Sequence, residues 1–492
     1  KTQATITGKG RSSLHLIGYA LEMFRSELED AVGVENVIDD EQMRKDLSID
    51  QYWLTYMWKA KEQEMPLPFF IVRPGSTKET SRVVQICNTY KVPVVPRGGG
   101  SGTQGGATAF KGGIILDMTR MNKILDIDET SLVLTAQPGI NGRVLENALN
   151  EKGLMLAHYP ASVDSATLGG YIAARGSGVM STKYGKAEDM VLAIEVVLPD
   201  GRVVNTLPYR NHACGPGLLE IFVGSEGTLG VITKVKMRLE PLPEVRLFRM
   251  VRFPNVHAGL EAGRQIMIQR LNPATIRLYD PGSTERSLRS TGLDAEGVNM
   301  VLMVDGYREI AEAQMRRILE VCKANGGADL GEEPGKYWWD HRYDFYRPPL
   351  HPQYPIMYGT VESVTSYRNI GKLYDAKKAL IEQKYKKWNA QYMAHFSHWY
   401  PWGTMIYDRF YIENPPQDAL EAFRLHNQIW ADCSRVNLEH GALLNEHHGI
   451  GFKLGWLMRE QYGDAFDVLL KIKRQLDPNG IMNPGKLGFG IW

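Results

Sequence analysis

The sequence predicts an α+β protein of two domains, and three observations carry that expectation. A β-α-β unit is legible from Pro68 to Arg97. Three glycine-rich turns follow, the last of them ending at Gly230. From Glu244 to Trp388 apolar strands alternate with amphipathic helices, the pattern of an antiparallel sheet with helices on one face. At 492 residues the chain is also too long for a single compact core.

Taken in order, residues 10–65 read as helical. Leu14, Leu16, Ile17, Leu21, Met23 and Phe24 supply an apolar face, and Glu27, Glu29 and Asp30 a solvated one. The crowded Tyr52, Trp53, Tyr56, Met57 and Trp58 read as packing. Phe69–Val72 predicts a strand, Thr77–Tyr90 a helix with Val83, Val84, Ile86 and Cys87 inward, and Val92–Val95 a second strand. Ile114–Asp117 and Leu132–Ala136 are further strands, and Asn141–Lys152 is a helix burying Val144, Leu145, Ala148 and Leu149. Val191–Leu198 turns through Pro199-Asp200-Gly201-Arg202 into Val203-Val204. Arg246–Val251 and Asn299–Val304 predict strands; helices are expected through Gly263 to Leu271 and over Ile310–Asn325. Two aromatic-rich segments, Tyr337–Tyr346 and His395–Tyr407, suit either an organic-substrate pocket or this domain's core.

Composition narrows the function classes. The net charge is +1 with no long block of one sign, which argues against nucleic-acid binding and electrostatic membrane docking. No run of eighteen apolar residues predicts a membrane span. The start, Lys1-Thr2-Gln3-Ala4-Thr5, has no apolar signal region and no Met, so it reads as a trimmed end. The four cysteines (Cys87, Cys214, Cys322, Cys433) form no CxxC pair, which disfavours structural zinc and a disulfide framework and points to a reducing, cytoplasmic compartment.

The chain is organised around Pro96-Arg97-Gly98-Gly99-Gly100-Ser101-Gly102-Thr103-Gln104-Gly105-Gly106, which follows the Val92 strand. Glycines there let backbone approach a ligand closely, and their N–H groups can form an anion-binding nest, so the loop reads as a phosphate cradle. A second small-residue stretch, Pro160–Gly178, has Ser165 or Thr167 as a candidate helix cap. A third cluster is Gly224-Ser225-Glu226-Gly227-Thr228-Leu229-Gly230. Three such turns in one region argue for a phosphate-bearing cofactor rather than three unrelated surface loops.

These clusters, with Tyr184-Gly185-Lys186-Ala187-Glu188-Asp189 and the C-terminal Leu476–Lys486, resemble the vanillyl-alcohol oxidase / p-cresol methylhydroxylase flavoprotein superfamily. Pro273–Leu278 and Gly441–Gly451 resemble its alkyl-dihydroxyacetonephosphate synthase and D-2-hydroxyacid dehydrogenase branches. Gly490-Ile491-Trp492 looks like the ending of its phenol oxidases. The synthase branch has three consecutive histidines where this chain has Glu446-His447-His448, and the dehydrogenases a single Glu-His pair.

The resemblance implies a p-cresol-methylhydroxylase-type FAD-binding domain (61–243) behind a helical lead-in (1–60). An antiparallel cap (244–435) would bind substrate, and a C-terminal segment (436–492) would return to the FAD-binding domain. It implies FAD held by Pro96, Arg97, Gly98, Gly99, Gly100, Ser101, Gly102 and Thr103 in the first turn. From the second it implies Pro160, Asp164, Ser165, Thr167, Leu168, Gly169, Gly170, Ala174, Gly176, Ser177 and Gly178. From the rest it implies Glu226, Gly227, Gly230, Val231, Ile232, Asn483 and Lys486. No histidine stands in the Gly98–Gly100 turn to tether the cofactor there, so FAD is expected to be non-covalent. A dimer, with O2 or another electron acceptor, is expected.

A flavin dehydrogenation needs a proton acceptor beside the substrate. His447 and His448 are the candidates because imidazole titrates near neutrality. Glu446 could orient one of them; alternatively both are structural histidines. Tyr400 and Tyr407 could donate to, or stack on, the substrate, and Arg277 could pair a carboxylate or phosphate or sit in an ion pair. His395 and His398, at i,i+3, could ligate a metal, but without a fuller pattern no metal site is assigned. The expected activity is FAD-dependent oxidation of a hydroxyl-bearing carbon on a small, aromatic or bulky molecule. The alternatives are a synthase-like flavin transferase without net redox, a D-2-hydroxyacid dehydrogenase, and a flavin-binding protein without catalysis.

Overall fold

The structure, a computed structural model, describes residues 11–60, 66–344 and 356–490. The side chains of Leu14, Leu16, Ile17 and Tyr56, and the residues Phe345, Tyr346, Ile491 and Trp492, lie outside what it describes.

The lead-in is not one helical stretch. The helix Arg11–Val32 ends at Gly33, whose φ of +90° an L side chain rarely adopts. The chain then forms a two-residue strand, Val37–Ile38, antiparallel to Phe70–Val72, before the helices Glu41–Leu47 and Trp53–Ala60. Phe24 and Leu28, fully buried, pack in one cluster with Val83 and Val84 of the helix Thr77–Tyr90. That helix starts where Ser76 Oγ accepts from Glu79 N. Tyr52, Trp53, Leu54 and Met57 belong to the cap core, and Trp53 Nε1 donates to Ile356 O at 3.2 Å.

Phe70–Val72 and Val94–Arg97 are both parallel to Ile114–Asp117, which lies between them. The expected β-α-β unit therefore forms with a third strand inserted. The edge at Val94 is extended by the C-terminal segment: Val94 N donates to Ile481 O and Asn483 N to Val94 O. A second sheet, all antiparallel, orders Ile124–Asp128, Val133–Ala136, Val231–Arg238, Val191–Val197 and Val203–Asn205. The two glycine turns ending at Gly178 and Gly230 lie around this sheet, the latter leading directly into Val231–Arg238.

The cap is an eight-stranded antiparallel sheet. Its path runs Ala328–Asp329, Val245–Phe253, Val298–Gly306, Thr275–Tyr279, Gln391–Phe396, Gly403–Ile412 and Met357–Thr360, with Ser363–Ser366 also paired to Gly403–Ile412. The helices Val256–Ile268, Arg308–Ala324 and Tyr367–Ala379 pack on it through Leu260, Ile266, Ile318 and Leu373. Lys183 Nζ and Tyr184 OH, from the half that carries the glycine turns, both bond Asp305 of the cap. No helix among the described residues is long and apolar enough to cross a membrane.

Candidate active site

A cavity of about 690 Å³ runs between the glycine turns and the cap sheet. Of the expected cofactor contacts, Pro96 to Thr103, Pro160, Thr167, Gly169, Gly170, Ala174, Gly176, Ser177, Gly178, Glu226, Gly227, Gly230, Val231 and Ile232 line it. Five do not. Asp164 is a surface partner of Arg143 at 2.7 Å, and Leu168 is buried core. Ser165 turns its carbonyl onto Gly99. Asn483 Nδ2 donates to Gly106 O and Glu226 O, and Lys486 Nζ to Thr108 O, so both brace the turns from behind.

The walls require glycine. A Cβ on Gly99 would lie 1.7 Å from Ser165 O, and one on Gly98 2.1 Å from Thr167 Oγ1. Arg97 anchors the first turn by donating to Ile49 O at 2.7 Å. Glu226, with φ +49°, accepts from Ile450 N at 2.6 Å and Gly451 N at 2.9 Å. The third glycine turn is thereby tied to the loop that carries His447 and His448. Burial pushes the Glu226 carboxyl up to about 7, against those two donors.

Glu446 is the hub of a buried polar cluster. One carboxylate oxygen accepts from Tyr400 OH and lies 3.4 Å from Lys186 Nζ; the other lies 3.0 Å from His398 Nδ1 and 2.7 Å from His447 Nδ1. Ser177 Oγ sits 3.1 Å from His398 Nδ1. Burial opposes ionisation of Glu446, but Lys186, His398 and His447 outweigh it and hold the carboxyl well below its ordinary range. Burial pushes His447 down to about 4, against the pull of Glu362. Near pH 7 the carboxylate is charged and His447 is a neutral imidazole.

The expected site residues divide. His447, His448, Tyr407 and Arg277 line the cavity; Glu446 and Tyr400 stand behind it. Tyr400 is stacked on Trp402 and bonded to Glu446. The i,i+3 pair His395 and His398 does not converge. His395 stacks on Tyr407 and lies 2.7 Å from an Arg277 nitrogen, while His398 turns to Glu446. Two other donor sets gather instead, Glu362–His447–His448 and His398–Glu446–His447. The ligand atoms within each set lie within 4.8 Å of one another, an imidazole and carboxylate chemistry that suits a divalent cation.

The cap half of the lining carries Arg277, Arg286, Arg342 and Arg409 together with Tyr279, Trp338, Tyr343, Tyr358, Tyr407 and Tyr411, and no Asp or Glu. Arg286 is paired to Glu413 at 3.0 Å. Arg277, Arg342 and Arg409 have no carboxylate partner among the described residues, and each has an Nε buried without a bond. Sequence reasoning missed Arg409, Arg342, Glu362, Lys186 and His158 as site residues. Lys186 stood in a quoted motif; a charged Glu362 inside the strand-like Met357–Ser366 was the one local sign of the other carboxylate.

Residues 68–207 match the FAD binding domain family, and residues 242–487 match the family of FAD linked oxidases, C-terminal domain. The chain belongs to the FAD-linked oxidoreductases. It is 31% identical over 464 residues to the alkyldihydroxyacetonephosphate synthase of Trypanosoma brucei brucei, covering 88% of this chain and 75% of that one. It is 31% identical over 475 residues to the FAD-linked oxidoreductase YgcU of Escherichia coli O157:H7, covering 94% and 97%. A solved alkyldihydroxyacetonephosphate synthase superposes with a TM-score of 0.79 at 26% identity, over 94% of this chain and 85% of that chain.

The cavity wall of this flavoenzyme fits FAD. Besides the glycines, it presents Gln104 Oε1, Thr167 Oγ1 and both ring nitrogens of His158 as buried polar atoms without a partner among the described residues. A large ligand rich in polar atoms satisfies such groups. His158, edge-on to Tyr171 at 4.3 Å, is pushed down to about 3 by burial, with His398 and Lys186 adding to the effect. It is neutral and able to donate and accept.

Proposed function

We propose that this flavoenzyme oxidises the hydroxyl-bearing carbon of a small organic anion, of which a 2-hydroxy acid with an apolar or aromatic body is the simplest case. The observation that carries the reading is the cap lining: three guanidiniums without a carboxylate partner among the described residues. A buried cation is costly unless paired, so the ligand is the natural source of the missing negative charge. Arg277, whose fork is bonded at one nitrogen by His395, offers the others to a carboxylate. The aromatic rings around it pack the remaining apolar body.

FAD bound along the glycine turns supplies the hydride acceptor. This chain's own residues do the rest. His447 or His448 takes the hydroxyl proton as the C–H pair leaves, giving a carbonyl product. Glu446 stays ionised and stabilises the imidazolium on His447, and Lys186 holds Glu446 in place from the FAD-binding half. The cap's aromatic rings and the closed glycine walls keep water from the reacting carbon.

The test is anaerobic bleaching of the bound flavin by a panel: D- and L-lactate, D-mandelate, D-glycerate 3-phosphate, and vanillyl alcohol as the neutral aromatic. Hydrogen peroxide is assayed in parallel to separate O2 from another acceptor. Bleaching by a hydroxy acid supports the reading. Bleaching by vanillyl alcohol alone returns the substrate to the neutral phenols. A flavin that no member bleaches, in a protein that binds the acids, leaves the transferase or a non-catalytic flavin protein.

A further inference from the structure

Asp50 lies ahead of both matched family segments, which start at residues 68 and 242. It is nevertheless 1% exposed and lines the same cavity as the glycine turns. Its Oδ2 accepts from Ala107 N at 3.2 Å and its Oδ1 from Tyr52 N at 3.1 Å. Its neighbours reach the same turn. Ile49 O accepts from Arg97 Nη1 at 2.7 Å, Gln51 N donates to Gly102 O at 2.8 Å, and Ser48 O accepts from Ala109 N at 2.9 Å. The lead-in residues Ser48, Ile49, Asp50 and Gln51 thus grip the first glycine turn at both ends and in the middle.

The grip falls on alternate carbonyls. Gly102 O is taken by Gln51 N, Gln104 O by Lys453 N at 3.0 Å, Gly106 O by Asn483 Nδ2 at 2.9 Å and Thr108 O by Lys486 Nζ at 2.7 Å. The partners come from three segments far apart in the chain: the lead-in, the loop after His448 and the C-terminal stretch. By contrast, no backbone N–H from Gly99 to Gly106 donates a hydrogen bond among the described residues. Carbonyls bonded to protein leave these amides as the turn's open donors, the arrangement of an anion-binding nest. Ala107 N closes the run, and its acceptor is Asp50. Arg97 adds charge from beneath: a Cβ on Gly100 would lie 2.0 Å from its Nη2.

From this geometry we infer that Asp50 is a positioning residue of the cofactor site, which pins the end of the first glycine turn so that the amides of Gly99 to Gly106 stay available to the diphosphate of FAD. The lead-in Ser48–Gln51 is then a working part of the FAD site, although it stands outside both family segments. Asp50 acts through the turn. Without its carboxylate Ala107 N loses its acceptor, and the turn recovers the bond only by shifting. Glycines offer almost no side-chain packing to resist such a shift. The loss therefore appears in the affinity for FAD as well as in stability. The inference concerns the cofactor alone and is independent of the substrate.

The test removes the acceptors in steps. Asp50→Asn keeps the shape but brings one amide oxygen to two backbone donors, and Asp50→Ala brings none. Each full-length protein is deflavinated and titrated with FAD, followed by flavin fluorescence, with melting of the apoprotein read alongside. Asp50→Asn is expected to weaken FAD binding about 10-fold, and Asp50→Ala to weaken it further. A lower melting temperature with the FAD affinity of the folded protein unchanged in both variants makes Asp50 merely structural and overturns the inference. Hydrogen exchange supplies a readout that stands even where Asp50→Ala does not fold. In the deflavinated wild type the Ala107 amide should exchange slowly and those of Gly99 to Gly106 quickly, and FAD should slow the latter. An Ala107 amide as fast as its glycine neighbours, or glycine amides that FAD leaves unchanged, overturns it as well.

Discussion

Gly99→Ala is the most demanding test of the cofactor wall. The added Cβ would lie 1.7 Å from Ser165 O, 2.7 Å from Ser165 C and 3.1 Å from Ala166 Cα. Real Cβ contacts do not fall below 3.0 Å, so the Ser165 carbonyl must retreat by about 1.3 Å, the gap between 3.0 and 1.7 Å. The wall cannot give freely. Ser165 N and Ala166 N both donate to Ser162 O at 2.9 and 2.7 Å, and Gly142 N donates to Ala166 O at 3.0 Å. Overpacking of this kind costs about 1–3 kcal/mol, and breaking one such bond adds about 1 kcal/mol. A total of about 2–4 kcal/mol, at 1.4 kcal/mol per decade, weakens FAD binding by roughly 30- to 700-fold. The assay is FAD titration into the deflavinated protein, followed by flavin fluorescence, with melting of the apoprotein as the control for folding. A Gly99→Ala protein that binds FAD within threefold of the wild type refutes the argument that the two turns close on each other through this glycine.

Three further outcomes are expected. His426 lies stacked on Trp53 at 4.8 Å, and burial, with Lys453 adding to it, pushes it down to about 3. Its folded value is below its unfolded value, so its contribution to stability is present above pH 6.5 and is lost as pH falls toward 3, at about 1.4 kcal/mol per pH unit. Urea unfolding should therefore show the gap between wild type and His426→Gln shrinking by about 2.3 kcal/mol from pH 6.5 to 4.5, and a constant gap refutes it. Lys377→Met strips the fully buried Asp408 of its ion pair at 2.7 Å and should cost about 3–5 kcal/mol. Adding Asp408→Asn should restore part of the melting temperature, and no restoration would mean the loss is one of packing. Acid precipitation should leave the yellow colour in the supernatant; colour in the pellet would show a covalent tether and send the search to His158 and the cap histidines.

Several elements were legible because their causes are local. The helix Thr77–Tyr90 matched its expected bounds because its Ser76 cap, its apolar face and the left-handed Lys91 all lie in sequence order. The lead-in was misread because a two-residue strand carries no periodicity of its own. Val37–Ile38 forms only because Phe70–Val72 offers an edge to pair with. His395 and His398 looked like a pair at i,i+3. On the strand Gln391–Phe396 and the turn after it, their rings diverge, one to Arg277 and the other to Glu446.

The sequence by itself determined the cofactor class. A turn that must press backbone against a diphosphate and against a second turn demands glycine at consecutive positions, and that demand is visible without knowing the fold. What only the tertiary structure decided is how the imidazoles are held and which charged side chains line one cavity. Lys186 reaches Glu446 across 260 residues, and Ser177 reaches His398 across 221. Arg277 and Arg409 face one cavity from different strands. Charge pairing acts through space, between side chains whose separation along the chain carries no signal, so the charge of the cavity and the partners of the imidazoles appear only once the cap sheet closes over the glycine turns.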